Sequence, residues 1–167
     1  MSRDELYDEL YDGVPFDAAG RRPGPARVVG IDGTEASLAA LRYALEQAYI
    51  HGGDVQAVYA YRGEPRSAAE HEARTYADQA LSTLPAAMRE ASALLVTALE
   101  GDPTAVLLSA ARGAGGLVVG APRSLRDSQV LGATVAACLV AEGIPVTLVP
   151  SCWAPAQHGT TCRAGAL

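Results

Sequence analysis

The chain has 167 residues, a formal net charge of -6 and a pI of about 5.0. Nearly half of it is apolar and only 5% is aromatic, which suffices for one compact domain with an aliphatic core and no disulfide staples. Its 13 basic residues, all arginine, form no stripe, so it lacks the clustered basic charge on which nucleic-acid binding depends. Cys138, Cys152 and Cys162 show neither a CxxC pair nor a zinc-type Cys/His spacing, so no metal is expected. The acidic N-terminus lacks the basic-then-apolar pattern of a secretory signal, and no stretch of about 20 apolar residues exists to span a membrane. These features point to a cytoplasmic protein.

Residues 1–26 stand apart. The tandem Asp4-Glu5-Leu6-Tyr7-Asp8-Glu9-Leu10-Tyr11-Asp12 stacks Leu6 on Leu10 and Tyr7 on Tyr11 if helical, and a Gly/Pro/Arg-rich stretch follows. Two readings stay open: a flexible solubilising extension, or residues 4–12 engaging a protein partner. From Arg27 a regular pattern begins. Arg27-Val28-Val29-Gly30-Ile31 is a short buried strand closed by Asp32-Gly33-Thr34. A helix from about Glu35 to His51 carries Leu38, Leu41, Leu45 and Ala48 on one face, with Thr34 as N-cap and Gly52-Gly53 as its stop. The second strand is Val55–Tyr61. A long helical stretch, about Ala68 to Ala91, should kink or restart at Pro85. The third strand, Leu94–Leu99, leads to Glu100-Gly101-Asp102-Pro103, where Asp102 reads as an N-cap and Pro103 as the first residue of a helix to about Arg112. Leu117-Val118-Val119 is the fourth strand. A loop from Gly120 to Gln129, a helix from about Val130 to Ala141, and a fifth strand over Ile144–Pro150 complete the pattern. Residues 151–167 are unpatterned and read as a flexible C-terminal tail.

Strands alternating with helices form βαβ units, and their unbroken apolar runs fit strands buried on both faces. Right-handed crossovers then favour a doubly wound three-layer sandwich, whose binding crevice lies beyond the strand C-termini at the switch in strand order. Asp32 and Gly120 close their strands and land beside that crevice.

Several blocks together resemble the universal stress protein family. Val28-Val29-Gly30-Ile31-Asp32-Gly33-Thr34-Glu35-Ala36-Ser37 resembles its opening strand and acidic turn, and Leu41-Arg42-Tyr43-Ala44-Leu45 its first helix. Glu100-Gly101-Asp102-Pro103 resembles the third-strand exit, Leu117-Val118-Val119-Gly120 the strand before the phosphate loop, and Ile144-Pro145-Val146-Thr147-Leu148-Val149 the terminal dimerising strand. The likeness covers residues 27–150. It implies a three-layer α/β/α sandwich, of the type shared with the adenine nucleotide alpha hydrolases, with a five-stranded parallel sheet in the order 3-2-1-4-5. It also implies a homodimer through Val146, Thr147, Leu148 and Val149.

ATP-binding members carry Gly-x2-Gly-x9-Gly-Ser/Thr after the fourth strand, where glycines let successive backbone N–H groups and a helix N-terminus point at phosphate. In this chain the segment reads Gly120-Ala121-Pro122-Arg123, then eight residues, then Gly132-Ala133-Thr134. Arg123 stands for the middle glycine, the spacing is one residue short, and Ala133 stands where a hydroxyl is expected. Pro122 removes a donor and Asp127 adds negative charge. By the resemblance, Asp32 and the backbone of Ala60, Val119 and Gly120 would hold adenine and ribose. Thr34, first of all an N-cap, borders them. Arg123, Gly132, Ala133 and Thr134 would meet the phosphates. The expected ligand is an adenine nucleotide, ATP or AMP, held weakly or not at all. Arg123 and Arg126 read either as a replacement phosphate clamp or as solvated loop residues.

No Ser-His-Asp or Cys-His spacing, Walker sequence or GxGxxG fingerprint is present, so an enzyme has no support from motifs. Three functions stay open: a non-catalytic, homodimeric regulatory or binding protein; a partner-binding module acting through the N-terminal Leu/Tyr repeat; and a recruited enzyme or accessory protein holding another small anion in the altered crevice.

Overall fold

Aliphatic runs closed by glycine or acidic turns become strands, and capped alanine- and leucine-rich segments become the helices between them. The computed structural model describes residues 24–91, 93–121 and 133–155. In chain order the elements are β1 (Arg27–Gly30), α1 (Glu35–His51), β2 (Val55–Tyr61), α2 (Arg66–Ser82), α3 (Ala86–Ala91), β3 (Leu94–Glu100), α4 (Pro103–Ala111), β4 (Gly116–Ala121), α5 (Ala133–Leu139) and β5 (Val146–Pro150). The strands form one all-parallel sheet in the order β3-β2-β1-β4-β5. This is the sandwich that the resemblance implied.

Two apolar layers hold the helices on. On one face α1 and α2 bury Leu41, Leu45 and an alanine row against Val29, Ala57 and Val118. On the other, α4 and α5 bury Leu107 and Cys138 against Val28, Val58 and Val119. Small side chains on α2 (Ala69, Ala73, Ala77 and Ala80) bring it close to the sheet, so a core almost without aromatics still closes.

Local chemistry sets the element ends. Thr34 caps α1 by accepting from the Ser37 amide, and Gly52 ends that helix at φ 77°. Asp102 caps α4, accepting from the Ala105 amide at 3.1 Å, with Pro103 at the first helical position. Asp102 also pairs with Arg62 at 2.8 Å, but both side chains are more than half exposed. The cap therefore outweighs the ion pair. Asp102→Ala is expected to cost about 1 kcal/mol in urea unfolding, while Asp102→Asn, which keeps the capping oxygen, should cost less than half of that.

The expected restart at Pro85 is present: the stretch is two helices, α2 stops at Ser82, and the Pro85 carbonyl accepts from the Met88 and Arg89 amides, while α2 begins at Arg66, two residues earlier than expected. Proline has no N–H with which to continue α2. Other boundaries differ from the sequence expectations. Strand β4 is longer than expected because β5 pairs with it along its whole exit, as far as Ala121 with Pro150. The helix expected from Val130 is described from Ala133, with residues 130–132 outside the described range. The expected tail begins as packed chain. The Ser151 amide donates to Ala121 O at 3.1 Å, and the Trp153 ring stands edge-on to Tyr43, centroids 5.5 Å apart. A single aromatic anchor leaves no periodic trace in the sequence. Residues 1–23 and 156–167, with the rest of the two expected extensions, lie outside the described residues.

Candidate functional site

Strand β1 is short, and the crevice follows from that. It pairs with β2 only to Val58 and with β4 only to Val118, while β2 runs on to Tyr61 and β4 to Ala121. Beyond Gly30 the two flanking strands therefore face a gap. This is where the strand order reverses, between β1 and β4.

The register decides which peptide groups face the gap. In a parallel ladder a residue's N–H and C=O both point to one neighbour, and those of the next residue point to the other. Val58 O accepts from Ile31 N at 3.0 Å and so faces the β1 side; Tyr61 O accepts from Gly101 N at 3.0 Å and faces away. Ala60 therefore turns both peptide groups into the gap. On β4, Leu117 N donates to Pro145 O and Ala121 O accepts from Ser151 N, so the odd positions face β5. Gly120 faces the gap. Val119 does not: its peptide groups turn to β5, and it lines the crevice with its side chain. That corrects the backbone role the resemblance assigned to Val119.

The gap opens into a crevice of about 180 Å³. Its floor is apolar, formed by Val58, Leu107 and Val119, and its rim carries Asp32, Thr34, Ser37 and Thr134. Gly30 lets the floor form, since a Cβ there would lie 2.9 Å from Leu107 Cδ1.

The acidic turn is internally braced. Asp32 Oδ1 accepts from both the amide (3.0 Å) and the hydroxyl (2.6 Å) of Thr34. Thr34 Oγ1 accepts from the Ser37 amide, and the Ser37 hydroxyl meets both Thr34 O and the Asp32 amide. The two carboxylate oxygens of Asp32 differ in their partners. Oδ1 forms the turn, while Oδ2 has no hydrogen-bond partner among the described residues, and Asp32 lines the crevice.

A second brace comes from α2. Tyr59 donates its one hydroxyl proton to Glu72 Oε2 at 2.9 Å, with Glu64 Oε1 3.3 Å from the same oxygen, and Tyr76 donates to Glu72 Oε1 at 3.0 Å. The Tyr59 and Tyr76 rings meet edge to face, and the Tyr76 ring lies over Gly33, leaving no room for a side chain there. Burial, reinforced by the hydrogen bond to Glu72 and the Glu64 and Glu72 charges, pushes the Tyr59 hydroxyl far above the ordinary tyrosine range. Burial and then Glu72 push Tyr76 the same way, with smaller contributions from the Asp32 and Glu64 charges. Groups with raised folded-state values contribute stability that is complete below the unfolded value, about 10, and is lost as pH rises through the folded values. Stability should therefore fall above pH of about 10, and Tyr59→Phe should flatten that fall while costing about 1 kcal/mol at neutral pH. Urea midpoints of both proteins at neutral and strongly alkaline pH check this.

Of the residues singled out in the sequence, Asp32, Thr34, Ala60, Val119, Gly120 and Thr134 line one crevice. Ala133 does not; it is exposed at the start of α5, and the hydroxyl on the rim is that of Thr134, one residue later. Arg123 and Gly132, with Pro122, Arg126 and Asp127, lie outside the described residues. Sequence reasoning missed Pro103 and Leu107, which reach the crevice from α4, and Ser37, which braces the turn. Neither His51 nor His71 lines the crevice, and no group of three or more metal-ligating side chains occurs among the described residues. No described helix is long and apolar enough to cross a membrane.

Fold and crevice together define an open, doubly wound α/β protein with its candidate site at the strand-order switch point. A profile of the Universal stress protein family matches residues 27–150. The chain belongs to the universal stress protein family. Among solved structures it resembles a universal stress protein in complex with cAMP (23% identity, TM-score 0.60, covering 76% of this chain and 97% of that one). It also resembles a family protein from Burkholderia pseudomallei (24%, 0.57, 77% and 99%) and the universal stress protein from Archaeoglobus fulgidus in complex with dAMP (20%, 0.50, 75% and 98%). A search among curated proteins finds no match.

Proposed function

We propose that this chain is a non-catalytic, homodimeric binding protein of the cytoplasm whose crevice takes the adenosine part of an adenine nucleotide and holds a polyphosphate weakly. The observation that carries this reading is the pair of bare peptide edges, Ala60 on β2 and Gly120 on β4, facing each other across an apolar floor in a crevice that Asp32 also lines. One N–H beside one C=O suits the edge of a purine base, the apolar floor suits its face, and a carboxylate suits ribose hydroxyls. The complexes of structural relatives with cAMP and dAMP support the ligand class. Weak polyphosphate binding rests on the sequence of the phosphate loop: Pro122 removes a donor and Arg123 brings a side chain where backbone must curl around the anion.

Calorimetry with adenosine, AMP and ATP tests the reading. Adenosine and AMP should bind with similar affinity, and ATP no more tightly than AMP. Asp32→Asn should weaken AMP binding about tenfold, the loss of one charged hydrogen bond. It should leave the unfolding midpoint nearly unchanged, since the amide oxygen still accepts from Thr34. Binding of ATP far tighter than that of AMP would show a working triphosphate site, and failure of all three to bind would remove the adenosine reading.

A further inference from the structure

Strand β3 is an edge of the sheet, and one of its faces is left open. Helix α2 packs on one side of it, whereas on the other α4 lies over β1, β2 and β4. The register sets Gln56 beside Leu95 and Val58 beside Thr97 on that second face. Leu95 is 61% exposed there. Toward the N-terminal ends of the strands this face deepens into a groove of about 360 Å³ between Val28, Gln56, Leu95 and Ala114, with Arg27 and Asp54 among its polar residues. The groove lies at the opposite end of the sheet from the crevice.

The N-terminal segment joins the domain at the rim of this groove. Ala26 lines it, and its carbonyl accepts from the Gly115 amide at 2.6 Å. Just before it, Gly24 presses on the Gly52–Gly53 peptide so closely that a Cβ would lie 2.6 Å from Gly52 C, and Pro25 packs on Gly115. The entry point is thereby fixed. Upstream lie residues 1–23, with Leu6, Tyr7, Leu10 and Tyr11 recurring at intervals of four among five carboxylates. The eleven residues between Asp12 and Gly24 let the chain reach up to about 40 Å when extended, ample to return the repeat to the groove. Tethering also gives the repeat a millimolar-scale effective concentration, so an apolar contact too weak to form between separate molecules is occupied within one chain.

We infer that residues 4–12 dock through their Leu/Tyr stripe onto the open face of β3, with Leu95 at the centre of the contact. The segment thus covers the open face of the edge strand β3, where Leu95 is the one exposed large apolar strand residue among the described residues. The inference is independent of what the crevice binds.

Amide hydrogen exchange on the full chain tests it. In the wild-type protein the amides of residues 4–12 should exchange about tenfold more slowly than in the Leu6→Asp/Leu10→Asp variant, at any protein concentration. Leu95→Asp should release the same amides to the same extent, and combining the three substitutions should add nothing. Leu6 and Leu10 precede the family domain of residues 27–150 in the chain, and Leu95 is exposed, so neither variant is chosen from the core. Unprotected residues 4–12 in the wild-type chain would overturn the inference and leave the repeat for a separate partner. Protection that grows with protein concentration would assign the groove to a second copy. Protection that survives Leu95→Asp would place the contact elsewhere.

Discussion

Gly120→Ala is expected to destabilise the protein by about 2–3 kcal/mol, and Gly120→Val by at least as much, with binding in the crevice lost in both. A Cβ at this position would lie inside contact distance of the Ala36 carbonyl and 2.6 Å from the Ser37 amide nitrogen. Both obstacles are backbone of the first turn of α1, which cannot rotate away as a side chain would. Gly120 is not among the positive-φ glycines, so the cost is close packing of a strand against a helix N-terminus and not backbone strain. Relief requires α1 to move off β4, which displaces Thr34 and Ser37 and with them the brace that holds Asp32. Gly33 provides a contrast. Its φ is 82°, and a Cβ would lie 2.5 Å from the Tyr76 ring. Gly33→Ala should therefore carry both a conformational cost of about 1–2 kcal/mol and a steric one. Adding Tyr76→Ala should recover the steric part only. Urea unfolding separates the two cases. A Gly120→Ala protein within about 0.5 kcal/mol of wild type would mean that α1 does not sit on β4 as closely as described.

The order of elements was open to sequence reasoning because the helix boundaries at Thr34, Gly52, Pro85 and Asp102 have local chemical causes. Thr34 and Asp102 are capping side chains, Gly52 needs a left-handed turn, and Pro85 has no N–H to give. These causes act within a few residues and can be read off a single chain. The crevice was legible only in part. Asp32 and Gly120 were recognisable as strand ends, but whether Val119 or Gly120 turns its peptide into the gap depends on the pairing of β4 with β5, which no local pattern encodes. The Tyr59–Glu72–Tyr76 brace joins a strand to a helix, and Leu107 reaches the floor from the far side of the sheet. Each of these needs the tertiary fold before it can be stated. The anchoring role of Trp153 is hidden in the sequence for the same reason: its partner, Tyr43, is more than a hundred residues away in the chain.

A dimer formed through β5 should be disrupted by Leu148→Pro and not by Leu148→Ala. Strand β5 is a sheet edge that bonds β4 on one side only. Pro145 O accepts from Leu117 N, and Ser151 N donates to Ala121 O, so the odd positions, including Thr147 and Val149, direct their peptide groups to β4. Val146 and Leu148 direct theirs outward. An antiparallel pairing of two such edges closes on a two-fold axis, and each chain then contributes the Leu148 N–H once. Proline at this position removes two interchain donors per dimer, each a hydrogen bond of about 0.5–1.5 kcal/mol, for a loss of about ten- to a hundredfold in dimer affinity. Leu148 is half-buried against the α4/α5 layer, so its replacement also costs packing. The alanine variant isolates that packing loss while keeping the donor. Thr147→Pro is the wrong probe, since it would break the β4 ladder and destabilise the subunit itself. Light scattering across micromolar concentrations should show a dimer for wild type and Leu148→Ala and a shift to monomer for Leu148→Pro. A wild-type monomer at those concentrations would refute pairing through β5. A dimer indifferent to Leu148→Pro would mean that the subunits meet through another surface, of which the exposed end of α5 at Leu139, with Val140 just beyond it, is the apolar candidate nearest to hand.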